Sequence, residues 1–384
     1  MDERNARQGA PSYVPMLRVV LLALVCALAL PAGADAARRE VPRGWLGVVV
    51  DGPMTDPAFA QAPAEWDSLA GSGAESVRAA VYWNQIQPNG PTEQNFTASD
   101  PIFLAAAQRG LDVLPVIQGT PTWAARTPFD PASPPRDNAD FARFLTALVT
   151  RYGPNGSLWA EHPEVSRQPV RSWQIWNEPN LTRYWNVSPW APSYVALLKR
   201  AHKALQAADP GSKTVLAGLP NESWKAIAAI YDAGARGSFD VATLHPYTGQ
   251  PKNVVRIVKI VRREMQRRGD GKLPIWVTEL SWPAAEGKTV QHHDFETTDR
   301  GQSDRLKAGL PMLADQRKAL GIGRVYWYTW LSQEGISGSA FDFSGLRRLR
   351  AGQLVSSPAL TIFTRLARRL QGCEKQSGDA RRCR

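Results

Sequence analysis

Two glutamates of this 384-residue chain sit in matched settings. One ends the run Ser172-Trp173-Gln174-Ile175-Trp176-Asn177-Glu178, with Pro179 next. The other ends Leu273-Pro274-Ile275-Trp276-Val277-Thr278-Glu279, with Pro283 close behind. Each closes a short stretch rich in Ile, Val and Trp, the composition of a buried strand, and proline then stops it. Paired carboxyls suit glycosidic bond cleavage, in which one gives a proton to the leaving oxygen and the other an anion to the carbon left behind. A lone glutamate at a strand end is commonly a surface or capping residue, but two flanked alike by tryptophan argue for a site.

The pair lies 101 residues apart in sequence, so only a fold that gathers distant strand ends can join them. Between them, 213–218 and 239–245 read as strands. Upstream stand 45–51, 77–83 and 111–118, and downstream 324–330, which makes eight with the two glutamate strands. Helical periods alternate with them. Phe141, Phe144, Leu145, Leu148 and Tyr152 recur at three and four within 138–152, with Asp137 or Asn138 as the cap. Val254, Ile257, Val258, Val261 and Met265 repeat the pattern in 253–265, and Leu306, Leu310, Leu313 and Leu320 in 302–320. Strand then helix, eight times over, predicts an α/β fold of the (β/α)8 TIM-barrel type in one catalytic domain, 37–370. An open doubly wound sheet would bring a glycine-rich phosphate loop after its first strand, and the sequence has none. Long βα loops are expected at 119–136, 179–192 and 331–353. Carboxylates at the C-terminal ends of barrel strands stand where such barrels keep their chemistry.

Residues 1–36 read as a signal peptide. Arg18 precedes twelve apolar residues, Val19 to Leu30, too few to span a bilayer at roughly 20, and small residues such as Ala34-Asp35-Ala36 follow. Cys26 leaves with that segment, and Cys373 and Cys383 remain. In an exported protein the two favour a disulfide closing a small loop in a basic C-terminal tail, 371–384. The expectation is a secreted or cell-envelope monomer with no stable membrane insertion. The net charge of +11 is uneven: 347–384 carries ten Lys/Arg against two acids, a run that reads as a solvated helix face and a frayed end. No motif points to nucleic acid. Five histidines, two of them adjacent, offer no zinc tripod, and no cofactor is expected.

With these segments in place the chain resembles the glycoside hydrolases of clan A, most of all family 39 and related bacterial polysaccharide hydrolases. The likeness runs through Val77-Arg78-Ala79-Ala80-Val81-Tyr82-Trp83 with Ile86-Gln87-Pro88, Gly119-Thr120-Pro121-Thr122-Trp123-Ala124, Trp176-Asn177-Glu178-Pro179-Asn180, His245-Pro246-Tyr247 and Val277-Thr278-Glu279. It spans 45 to about 370, and the Asn-Glu-Pro segment is its most specific part. The resemblance implies that Glu178, after strand four, is the acid/base, kept protonated by burial and by the negative nucleophile beside it. Glu279, after strand seven, would be the nucleophile, held by Arg78 and Tyr247. Asn177 would bond the sugar 2-hydroxyl, and Trp330 at the end of strand eight would lie under the sugar being cleaved.

Each role has a structural rival. Arg78 could serve a buried ion pair, and His245 could be a satisfied core histidine that shapes its loop. Trp83, Trp123, Trp185 and Trp282 could stack on sugars or fill the barrel rim. Gln87 stands where relatives often have an acid, which would alter a sugar contact. The sequence carries no β-sandwich after the barrel of the kind found in xylosidase-type relatives, which favours an open groove and internal cleavage of a polysaccharide or oligosaccharide. An exo-acting β-xylosidase-like enzyme is the alternative. A barrel that only binds carbohydrate would be marked by loss of one glutamate, and both are present.

Overall fold

The computed structural model of the chain describes residues 39–373, apart from 57 and 291. The signal-peptide segment and Cys383 lie outside the described residues, as does most of the basic tail. Eight strands, β1 (Leu46–Val50), β2 (Ser76–Tyr82), β3 (Asp112–Gln118), β4 (Ser172–Ile175), β5 (Lys213–Val215), β6 (Ala242–Leu244), β7 (Ile275–Leu280) and β8 (Ile322–Trp327), form one sheet. Their order is β5-β4-β3-β2-β1-β8-β7-β6, and every neighbour pair is parallel. The open edge between β5 and β6 is bridged by parallel contacts at Val215–Val241 and Pro220–His245, with Leu216 N–H donating to Val241 at 2.9 Å and His245 N–H to Leu219 at 3.0 Å. The chain is a (β/α)8 TIM barrel.

Strand alternation sorts the side chains between two layers. Val49, Leu114, Val215, Val241, Trp276 and Tyr326 pack together inside the barrel. Val48, Val50, Val77, Ala79, Ile117, Trp173 and Ile175 belong instead to the larger core between sheet and helices. The helix Asn138–Tyr152 matches its apolar period, and the Asp137 carboxylate caps it by accepting from Ala139 N–H at 2.8 Å. The helix Pro251–Arg267 extends the expected 253–265 at both ends. The expected 302–320 divides into Asp299–Asp315, with Pro311 inside, and a short turn Arg317–Leu320.

Beyond β8 the chain does not stay a loop as expected. It folds into a second sheet of β9 (Leu331–Gln333), β10 (Arg347–Arg350) and β11 (Gln353–Ser356). β10 pairs with β9 in parallel and with β11 as an antiparallel hairpin. Three arginines in the basic run are structural there. Arg347 pairs with buried Glu65 at 2.8 Å, Arg348 with Asp299 at 2.7 Å, and Arg350 with Glu334 at 2.8 Å. The solvated face expected of that run is therefore, at its start, a set of ion pairs: Arg347 and Arg348 pin the added sheet to the barrel helices, and Arg350 ties β10 to the end of β9.

Candidate active site

At the C-terminal ends of the strands opens a cleft of about 1620 Å³, with both glutamates on its floor. They arrive differently. Glu279 is inside β7, where the register against β8 slips between Val277 and Leu280. β4 ends at Ile175, three residues short of Glu178. The intervening turn holds Trp176 at φ 70 and Glu178 at φ 44, left-handed values that cost strain in residues other than glycine. Glu178 N–H donates to Gly218 at 3.1 Å, and Trp176 Nε1 donates to the Tyr184 carbonyl at 2.8 Å, which fixes the turn from both sides.

The two carboxyls are joined by one imidazole. His245 Nδ1 lies 2.7 Å from Glu178 Oε1 and 3.5 Å from Glu279 Oε2, and ligand atoms of all three residues fall within 4.8 Å of one another. His245 Nε2 faces Thr278 Oγ1 at 3.1 Å, and the ring is fully buried. Glu279 is held on both oxygens. Arg78 Nη1 donates to Oε1 at 2.8 Å, and the Tyr247 hydroxyl donates to Oε2 at 2.8 Å. Burial and the neighbouring Glu279 charge push the Tyr247 hydroxyl well above its ordinary pKa, so it stays a proton donor. Arg78 spends its other donors on Gln174 Oε1 and Asn177 Oδ1, each at 2.8 Å. That contact leaves the Asn177 amide nitrogen as its free end. With a guanidinium already on Glu279, the cluster reads as a carboxylate pair rather than a seat for a cation.

Glu178 departs from the expectation that it is held protonated. Burial raises its pKa, but the hydrogen bonds and positive charge of His245 and Arg183 outweigh burial and set it below the ordinary value. Arg183 Nη2 is 3.2 Å from Glu178 Oε2.

Of the residues expected to touch substrate, Arg78, Asn177, Tyr247 and both glutamates line the cleft, with His245 directly beneath. The tryptophans do not line it. Trp83 is buried, stacked at 5.5 Å on Phe144, and donates to Gln87 Oε1 at 2.7 Å. Trp123 donates to the Gln87 carbonyl at 2.7 Å, so Gln87 too is an internal tie and not a sugar contact. Trp282 is buried and donates to the Thr248 carbonyl at 2.7 Å, and buried Trp185 donates to Ser193 Oγ at 2.7 Å. Trp330 is buried with its indole N–H on Glu65 at 3.1 Å, pointing away from the cleft. Indoles of this size fill the space between sheet and helices, and each finds a partner for its one polar atom.

Tyrosine and phenylalanine line the cleft in their place. Tyr328 continues the inward face of β8 after Tyr326, one alternation step before Trp330. Phe341 lies 5.0 Å from Tyr247 and 5.7 Å from Phe295, ring centre to ring centre, and Phe59, Tyr82 (41% exposed) and Tyr184 also line the cleft. The sequence also hid Asp51, at the end of β1. Its Oδ1 accepts from Thr329 Oγ1 at 2.7 Å, and burial lifts its pKa more than the Thr329 and Tyr328 hydrogen bonds lower it. Asp51 follows β1 as Glu178 follows β4, and that position was its only signal.

The imidazole fits because residue 218 has no side chain. A Cβ there would lie 2.0 Å from His245 Nε2 and 2.2 Å from Cε1. Gly218→Ala should therefore drive the ring off the carboxyl pair, at a cost of about 1–3 kcal/mol in stability. A shift of that size beside reacting groups should lower turnover about a hundred-fold. Thermal unfolding and kcat measured together check it, and parent-like turnover would mean that the ring position is dispensable.

No protein-family model matches the chain, and no curated protein matches its sequence. Solved structures do match. A family 39 glycoside hydrolase from the gut symbiont Bacteroides cellulosilyticus superposes with a TM-score of 0.66 at 17% identity, over 85% of this chain and 64% of that one. A glucosidase from Croceicoccus marinus gives 0.61 at 14% identity, over 88% and 70%. A monomeric β-xylosidase from Caulobacter crescentus gives 0.61 at 16%, over 86% and 69%. The chain thus spans under two thirds of the first of these structures, and at such identities the likeness is one of fold: this barrel has the architecture of glycoside hydrolases, family 39 among them.

Proposed function

We propose that the protein is a retaining O-glycosyl hydrolase that cleaves within a polysaccharide or oligosaccharide by double displacement. The observation that carries this reading is the pair Glu178 and Glu279, bridged by His245 on the floor of the cleft, with an oxygen of each within 4.8 Å of the other. Retaining enzymes hold their carboxyls about 5–5.5 Å apart, whereas inverting ones leave room for a water at about 6.5–9.5 Å.

In the first step Glu279 attacks the anomeric carbon, the carbon–oxygen bond breaks, and the Glu178 proton goes to the departing oxygen. In the second, Glu178 takes a proton from water, whose oxygen attacks the same carbon and releases Glu279. Arg78 and Tyr247 hold Glu279 by both oxygens and aim it. The Asn177 amide N–H, turned outward because Arg78 holds Oδ1, is placed to meet the sugar 2-hydroxyl. Tyr328 takes the platform role that the family resemblance implied for Trp330.

Internal cleavage is favoured by size. Pockets for small ligands run to about 300–1,000 Å³, and this cleft exceeds that range, with room for several sugars. Glycosidase neighbours with the same barrel support a carbohydrate substrate. Export to the cell exterior or envelope, on the evidence of the apolar run 19–30, belongs to the same reading.

The test is a screen of the protein against purified β-glucans, xylans and bacterial exopolysaccharides, with products sized and their anomers followed by NMR. Mid-length products whose first-formed anomer keeps the substrate configuration are expected. First appearance of the inverted anomer would overturn the mechanism, and release of monosaccharide alone would overturn internal cleavage.

A further inference from the structure

Both oxygens of Glu178 have a hydrogen-bond partner. His245 Nδ1 takes Oε1 at 2.7 Å from the buried side, and Arg183 Nη2 takes Oε2 at 3.2 Å from the open side. A general acid has to present a protonated oxygen to the glycosidic oxygen, within about 2.6–3.2 Å. His245 is wholly buried, with Thr278 on its other nitrogen, and has nowhere to withdraw. Arg183 is different: its side chain is 64% exposed, it stands on the loop after β4, and its guanidinium rests 4.8 Å over the Tyr184 ring. Arg183 and Tyr184 both line the cleft beside Glu178.

We propose that Arg183 is a latch on Glu178, closed in the free enzyme and opened when the leaving-group sugar enters beside Tyr184. This rests on the hydrolase reading for Glu178. It adds a positioning residue on the leaving-group side and a reason for the acid to become competent only when substrate is bound. With the latch closed, the Arg183 charge beside the carboxyl favours its ionised form and adds to the larger lowering by His245 in the net downward shift. With the latch open that contribution goes, and the pKa of Glu178 rises toward the value a proton donor needs. The other groups around the carboxyl stay in place: His245 from β6, Glu279 from β7, Tyr247 beyond β6, Arg78 from β2 through Glu279 and Asn177, and the Tyr184 hydroxyl from the Glu178 loop. Arg183, carried on that same loop, is the group free to move.

The sign follows. Removing Arg183 raises the Glu178 pKa in the free enzyme and leaves the substrate complex unchanged. The basic limb of kcat/KM reports the free enzyme, and that of kcat the complex. In the parent enzyme the kcat limb should lie at higher pH than the kcat/KM limb. In Arg183→Ala the kcat/KM limb should move up to meet it, while Arg183→Lys keeps part of the gap. Xylotetraose and cellotetraose are suitable probes, since their leaving sugar both fills the site and needs the proton.

A second measurement needs no turnover. Titration of 13C-carboxyl-labelled glutamate by NMR, with the Glu178 signal assigned from Glu178→Gln, should show that signal titrating at higher pH in Arg183→Ala than in the parent. An unmoved Glu178 titration, or the same gap between limbs in parent and Arg183→Ala, would overturn the latch. Absence of cleavage of any glycan would instead sink the hydrolase reading, and the NMR titration would still judge the Arg183–Glu178 contact.

Discussion

Glu279→Gln should lower kcat by about ten-thousand-fold or more while oligosaccharide binding survives, the scale on which loss of a hydrolase nucleophile acts. The amide keeps the shape of the carboxylate but cannot attack the anomeric carbon. Its surroundings tolerate the exchange. The amide oxygen can take the Arg78 Nη1 bond that now runs 2.8 Å to Oε1. The amide nitrogen then faces the Tyr247 hydroxyl, now 2.8 Å from Oε2, and a hydroxyl can rotate to accept where it had donated. Stability should fall only modestly, by about the 1.5–3 kcal/mol that a hydrogen bond to a charged group contributes. Single-turnover kinetics, with calorimetry of oligosaccharide binding, separate the two effects. Turnover within a few-fold of the parent would remove Glu279 from the nucleophile role, and lost binding would give it a different one.

The eight strands and their helices were legible because each barrel layer repeats one pattern: a short β-branched run, a turn, then an amphipathic period. Boundaries slipped where that pattern outlasts its element. The inward alternation of 324–330 continues through Trp330, but β8 stops at Trp327, so the ring facing the cleft is Tyr328. The carboxyl pair was legible because each glutamate closes an otherwise apolar run in the sequence, although β4 itself stops at Ile175 and β7 runs on past Glu279 to Leu280. What sets its chemistry was not legible. His245 joins the two glutamates only because residue 218, from another strand end, has no side chain, and a contact between distant segments leaves no local mark. Arg183 reads as one more surface cation until the left-handed turn at Trp176 and Glu178 brings the carboxyl beneath it. Nor does hydropathy tell a tryptophan that lines a cleft from one that fills a core. None of the tryptophans offered as sugar platforms lines the cleft: Trp83, Trp185, Trp282 and Trp330 are buried and Trp123 is half-buried, while tyrosine and phenylalanine supply the aromatic cleft surface.

Glu178→Ala should divide substrates by the quality of their leaving group. Natural oligosaccharides, whose departing alkoxide needs the proton, should lose about a hundred- to ten-thousand-fold, the contribution of a positioned general acid. Aryl glycosides with acidic phenols leave without help, so their first step should be hit far less. Their second step then limits the rate, because the same residue has to take a proton from the attacking water. Truncation to alanine also opens space between His245 Nδ1 and Arg183 Nη2, two nitrogens that both lose their hydrogen-bond partner. A small anion fits that gap: azide needs no general base, and Arg183 offers it a cation at the entrance. Added azide should therefore restore turnover of the aryl glycosides and give a glycosyl azide of retained configuration, detectable by NMR. If azide fails to rescue and both substrate classes lose equally, Glu178 is structural and the proton comes from another group. Rescue with inverted product would mean that azide attacks the intact substrate directly, which would remove Glu279 as the covalent partner.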